Sequence, residues 1–280
     1  MVSGINLDGA RESRTVRELE SFLDRAGLDR AEANRVIMRA IAERAITISQ
    51  GGGEFEDSEI IFDPNMFSTL IEEPGKQVAE TVSASQSPSN SSIVWTVPTR
   101  LIPQSSQVSR LSTEAVFKQL LLDSKTEVLI VSPFLEREGI YTLRSEFLAA
   151  SQRGVRFRLL TRSVDDYNLA YPLNDLFQIL GSQLDAKSFH SHVQLKGDAW
   201  KQIESTHAKL LLVDGRQMYI GSAELRLNAL FSNFELGLLV KDRFLTKQAA
   251  DLFDIFWNDK LYTKSITQSI VQRVLSRSVR

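Results

Sequence analysis

The chain has 280 residues, 42% hydrophobic and 24% charged, and no cysteine. That is enough for one large domain or two small ones, and it excludes disulfides and thiolate metal sites. The net charge of −2 hides an asymmetry: residues 1–90 hold 9 Lys and Arg against 16 Asp and Glu, and residues 91–280 hold 24 against 19. A polyanion is therefore expected on the C-terminal two-thirds. No apolar run approaches the length of a membrane span, and residues 1–14 lack the apolar core of a signal peptide. A cytoplasmic protein without membrane contact is the expectation.

Thr15-Val16-Arg17-Glu18 reads as a capping box, opening a helix that runs to about Ala26 and ends at Gly27. Asp29-Arg30-Ala31-Glu32 reads as a second cap, with a helix to about Arg44. A β-rich stretch at 45–49, three glycines at 51–53 and a second β-rich stretch at 58–62 follow. Asp63-Pro64 predicts a short helix ending before Pro74. Residues 1–74 thus form a small, mostly helical module. Its helix–helix–hairpin order is compatible with a winged helix, which would imply DNA binding, while its acidic balance favours a protein–protein or scaffolding module. Residues 75–92 are Ser-rich and have little to bury, so they read as a linker.

The second domain is expected over 93–280. It opens with a strand at 93–97 and a helix at 113–123. Glu127 to Ser132 reads as a buried strand stopped at Pro133, followed by a helix over 141–152 and a strand over 155–161. This strand–helix–strand order predicts a βαβ unit in a parallel or mixed sheet. A helix is expected over 172–180, a strand over 189–195 and an amphipathic helix over 245–257. The tail after Asp259 carries Lys260, Lys264, Arg273, Arg277 and Arg280 with no acid. It reads either as a basic helix face on its own domain or as a polyanion contact.

The informative stretch is 205–240. Leu210 to Val213 reads as a buried strand, and its upstream extension would carry His207 and Lys209. Those two side chains, two residues apart, then point the same way. Asp214-Gly215 signals a turn, a strand over 217–220 runs into Gly221-Ser222, and a third strand follows Asn233. An imidazole beside an ammonium suits attack on an anionic phosphodiester, because lysine offsets the developing oxyanion charge and neutral histidine is a competent nucleophile.

The spacing His207-x-Lys209-x4-Asp214-x6-Gly221-Ser222 resembles the HKD motif of the phospholipase D superfamily. That resemblance implies an α/β sandwich with a mixed sheet over about 93–260. It also implies a phosphohistidine on His207, phosphate held by Lys209 and the polar groups near Ser222, and Asp214 securing the motif. Glu235 matches the downstream carboxylate that orients the histidine. One position departs from the pattern: Glu224 stands where the family has asparagine. An ionised carboxylate offers acceptors only, so Glu224 is expected to weaken catalysis, either by repelling phosphate or by pairing with Lys209. Asn228 or Asn233 is the alternative donor.

The family's chemistry uses two histidines, and residues 93–170 contain none. A homodimer with two facing His207 residues closes the gap. Single-motif relatives imply a nuclease, DNA ahead of RNA, that needs no cofactor or metal. His190 and His192 could join His207 at a metal, but no suitably spaced acid completes a set. An N-terminal extension before one HKD domain resembles the phospholipase D-like component of the DISARM anti-phage defence system, which implies helicase and methyltransferase partners. A phospholipase or phosphatidyltransferase, and a non-catalytic nucleic-acid-binding subunit, are the alternatives.

Overall fold

Helix starts in the computed structural model fall where the caps predict them. Thr15 accepts the N–H of Glu18 ahead of α1 (Val16–Arg25). Asp29 and Glu32 form a reciprocal capping box ahead of α2 (Arg30–Ala42). Gly27, at φ +97, turns the chain between the two helices, a conformation glycine adopts without a Cβ penalty. Strands β1 (Ile46–Gln50) and β2 (Glu59–Phe62) pair antiparallel. Val16, Leu19, Leu23, Ile37 and Met38 are fully buried and form the interior of this first unit, Met1–Ala84.

The structure describes residues 13, 15–50, 54–63, 67, 90–98, 101, 111–164, 167–189, 192–196 and 199–277. The glycines at 51–53, most of the helix expected from Pro64, the Ser-rich stretch 75–89 and His190 lie outside them.

The second unit, Ser85–Arg280, is built on an eight-stranded mixed sheet. Its elements run β3 (Ser91–Thr96), α3 (Thr113–Asp123), β4 (Glu127–Val131), α4 (Arg137–Thr142), α5 (Arg144–Gln152) and β5 (Arg156–Arg162). Next come α6 (Tyr167–Leu180), β6 (Leu184–Phe189), β7 (His192–Lys196), β8 (Ala199–Glu204), β9 (Leu210–Val213) and β10 (Gln217–Gly221). The unit ends with α7 (Leu227–Phe231), β11 (Glu235–Val240), α8 (Arg243–Asn258), β12 (Thr263–Ile266) and α9 (Gln268–Arg277). Strand order is β12-β6-β5-β4-β9-β10-β11-β3, and β7 pairs with β8 as a separate hairpin. β4 is parallel to β5 and β5 to β6, as their helical crossovers require. The remaining pairs in the large sheet are antiparallel.

The apolar runs of β4 and β9 put them at the centre, buried on both faces. Val128, Ile130, Leu211, Val213 and Tyr219 pack under α3, α5 and α6. On the opposite face Leu129, Val131, Leu212, Met218 and Val240 pack under Phe253 and Trp257 of α8. The fold is thus a sandwich of helices about a mixed sheet. α8 covers only part of its face, and Ile93, Ile220, Leu236 and Leu238 remain exposed.

Several elements differ from the sequence expectation. The strand containing the motif starts at Leu210, so His207 and Lys209 sit in the extended segment just before it. The helix expected over 141–152 is two, α4 and α5, broken at Leu143. α6 begins at Tyr167 with Pro172 inside it. The strand expected over 189–195 is the end of β6 and the start of β7.

Candidate active site

β9 is antiparallel to β4, with Leu210 opposite Val131. The segment before β9 therefore meets the carboxyl end of β4. The carboxyl end of β10 and the start of β11 reach the same rim, since Gly221 pairs with Gly237. Open α/β sheets bind ligands along this edge. His207, Lys209, Ser222, Glu224 and Glu235 all lie there.

His207 is exposed and Lys209 is buried. Lys209 Nζ donates to the His207 carbonyl at 2.8 Å and stands 3.3 Å from His207 Nδ1. It also lies 3.6 Å from Glu224 Oε1, beyond hydrogen-bond length. The pairing expected between these two side chains is thus an ion pair without a hydrogen bond. Glu224 is held by its chain segment: Leu225 donates its N–H to Ser132 Oγ at 3.1 Å, and Glu136 donates its N–H to the Leu225 carbonyl at 3.0 Å. Gly139 makes room for that carbonyl, which a Cβ would meet at 2.4 Å. Burial raises the Glu224 pKa above the ordinary carboxylate value, outweighing Lys209, Arg226 and the Phe134 N–H, all of which favour the charged form. Oε1 is buried and has no hydrogen-bond partner among the described residues.

Glu235 lies on this rim with partners other than the imidazole. Its carboxylate accepts Ser222 Oγ at 2.5 Å and Asn233 Nδ2 at 3.0 Å, and it does not hydrogen-bond His207. Ser222 Oγ also accepts the Leu236 N–H at 3.1 Å. Asn233 therefore stands on Glu235, while Asn228 accepts from Ser232.

Asp214 is remote from the imidazole. It accepts the backbone N–H groups of Lys125, Thr126 and Glu127 at 2.8–2.9 Å and Thr126 Oγ1 at 2.7 Å. Burial alone would raise its pKa; these donors outweigh it and lower the value. Asp214 thus ties the β9–β10 turn to the start of β4.

Sequence reasoning missed Tyr219, Ser132 and Phe134. Tyr219 is fully buried beneath the motif, with its hydroxyl accepting the Ala223 N–H at 3.0 Å. Burial pushes its pKa up to about 12. Its side chain explains Gly221 and Gly237: a Cβ at Gly221 would meet the hydroxyl at 2.5 Å, and one at Gly237 would meet the ring at 2.5 Å. The signal for Ser132 and Phe134 was available, because both follow a buried strand at its carboxyl end.

This arrangement presents an exposed imidazole beside a buried ammonium. It can accept an anion at Lys209 and attack it through Nε2 once Nδ1 holds the ring proton. Among the described residues no three His, Asp or Glu side chains could hold a metal ion, and no helix is long and apolar enough to cross a membrane.

A family model described as "Cardiolipin synthase, PLD-like domain" matches residues 117–257. No curated protein matches the sequence. Among solved structures, the phospholipase D family member Nuc from Salmonella typhimurium is 13% identical, covering 63% of this chain and 97% of its own at TM-score 0.44. NucT from Helicobacter pylori is 13% identical over 59% of this chain and 94% of its own, at TM-score 0.39. Phosphatidylserine synthase from Haemophilus influenzae Rd KW20 is 18% identical over 68% of this chain and 45% of its own, at TM-score 0.42.

Proposed function

The chain belongs to the family of cardiolipin synthase-type, phospholipase D-like domains, and from that premise we propose a metal-independent phosphodiesterase acting on nucleic acid, DNA ahead of RNA. The observation that carries this reading is the exposed His207 imidazole 3.3 Å from Lys209 Nζ at the open rim of the sheet.

A phosphate entering the rim draws Lys209 toward itself. Nδ1 then keeps the ring proton, and Nε2 attacks phosphorus in line. A P–N bond forms and the bond to the leaving oxygen breaks, while a second histidine supplies that oxygen's proton. Water, deprotonated by the second histidine, then displaces His207. The excess of basic residues in 91–280 favours a polyanionic substrate over a lipid. DNA stands ahead of RNA because the protein supplies the nucleophile and no 2′-hydroxyl is required. A role in anti-phage defence, beside helicase and methyltransferase partners, rests on the N-terminal unit preceding a single motif. The exposed side chains Ile220, Phe234 and Leu236 beside Ser222 and Glu235 favour a second reading, a phosphatidyl substrate.

The test incubates purified protein with labelled single- and double-stranded DNA and RNA and with phosphatidyl vesicles. Nucleic-acid cleavage unchanged by EDTA is expected. Cleavage abolished by EDTA and restored by magnesium or zinc would refute the histidine mechanism. Turnover of the phosphatidyl substrate alone would move the reading to lipid.

The second histidine is assigned to a second copy, so light scattering at micromolar concentration is expected to give a dimer. A strictly monomeric, fully active protein would sink the shared site.

A further inference from the structure

Among the described residues, Glu224 is the one motif side chain whose buried acceptor lacks a hydrogen bond. Its Oε1 faces Lys209 Nζ at 3.6 Å, so the ammonium is its nearest cation. Arg226, on the same segment, is already held by Glu136, with Nε 2.8 Å from Glu136 Oε1. From the segment after β4 the Phe134 N–H favours the carboxylate, and His207 Nδ1 stands 3.3 Å from the same ammonium.

On the phosphodiesterase reading, phosphate competes for that same ammonium. Within one copy, the phosphate and the buried Glu224 carboxylate compete for the same lysine, and this competition favours proton uptake by one of them. A phosphodiester is a far stronger acid than a carboxylic acid, so the proton goes to the carboxyl. The neutral acid then has what the carboxylate lacks, an O–H donor.

We propose that Glu224 binds the substrate phosphate as a carboxylic acid, its carboxyl O–H donating to a non-bridging phosphate oxygen and leaving Lys209 to the phosphate charge. One proton is taken from solvent for each phosphodiester bound. Glu224 is thus a proton-carrying phosphate ligand. The ionised form is the inhibitory state and the protonated form the working one, so substrate binding strengthens as pH falls. This device distinguishes the chain from a site built on an amide, whose donor is present at every pH.

The probe is the dinucleotide dTpdT, whose single phosphodiester keeps a constant charge over the working range. His207→Asn serves as the parent, removing both turnover and the imidazole titration. Calorimetry in buffers of different ionisation enthalpy reads affinity and proton uptake together. Above the Glu224 pKa, affinity is expected to fall by about tenfold per pH unit, with about one proton taken up. Glu224→Gln in the same parent is expected to bind with no pH slope and no uptake, near the parent's low-pH affinity. A slope that survives Glu224→Gln, or parent binding that is flat in pH without uptake, overturns the proposal. The parent's proton uptake gives this answer without any further variant. Absence of dTpdT binding by both chains overturns the phosphodiesterase reading, and the proposal with it.

Discussion

Replacing His207 with alanine is expected to abolish phosphodiester hydrolysis while leaving the fold in place. The imidazole is exposed, and among the described residues its side-chain polar partner is Lys209. Its removal opens no cavity and strands no buried partner, because Lys209 keeps the residue 207 carbonyl and Glu224. The loss is therefore chemical. Deleting a nucleophile from a hydrolase costs on the order of 10⁴-fold or more in turnover. Circular dichroism and thermal melting beside the activity assay separate the two effects. Undiminished turnover in a folded His207→Ala protein would locate the chemistry elsewhere.

Asp214→Ala is expected to have the largest effect on stability. Four donors from residues 125–127 converge on this carboxylate, and hydrogen bonds to a charged group contribute about 1.5–3 kcal/mol each, without being additive. Residue 214 also has φ +52, a conformation aspartate and asparagine tolerate better than alanine. Together these suggest a loss of about 3 kcal/mol, with a smaller loss for Asp214→Asn, which keeps an acceptor and the backbone preference. The pH dependence has a definite sign. The folded-state pKa lies below the ordinary value of 3.8, so the carboxylate's contribution is complete above the unfolded value and disappears as pH falls through the folded one. The gap in melting temperature between the parent and Asp214→Ala should therefore be full near neutrality and close in acid. A gap that persists below the folded pKa would show that the backbone, not the charge, carries the effect.

The parts of the fold and site legible in the sequence were those fixed by near neighbours. The spacing from His207 to Ser222 was readable because a turn and two short strands fix those positions within one local stretch. β4 was legible because Val128 to Val131 is apolar on both faces. β6 and β7 were merged because Phe189, Val193 and Leu195 read as one apolar alternation without a glycine or proline between them. Pro172 misled as a helix start, since its ring is tolerated past the first turn of α6 only in a context that sequence does not display. Glu235 shows the limit most clearly. Spacing identified a carboxylate at the head of β11 but could not say whether it met His207 or the pair Ser222 and Asn233. Phe134, whose N–H meets Glu224, reaches the rim through pairing of β4 with β9, which no local pattern encodes.

The pairing register also fixes which parts of the rim are easy to assemble. β9, β10 and β11 follow one another in the chain and lie side by side, so Leu210 meets Ile220 across the turn at 214–216 and Gly221 meets Gly237 across the connection 222–234 that holds α7. Thr96 meets Glu235 only when the whole stretch of chain from 97 to 234 is spanned. Closing a short loop sacrifices less chain entropy than closing a long one. The meander holding His207, Lys209, Ser222 and Glu235 is therefore the least entropically demanding part of the sheet. The long-range pairing of β4 with β9 adds the wall behind Glu224, and with it the desolvation that makes this carboxyl unlike an ordinary surface acid.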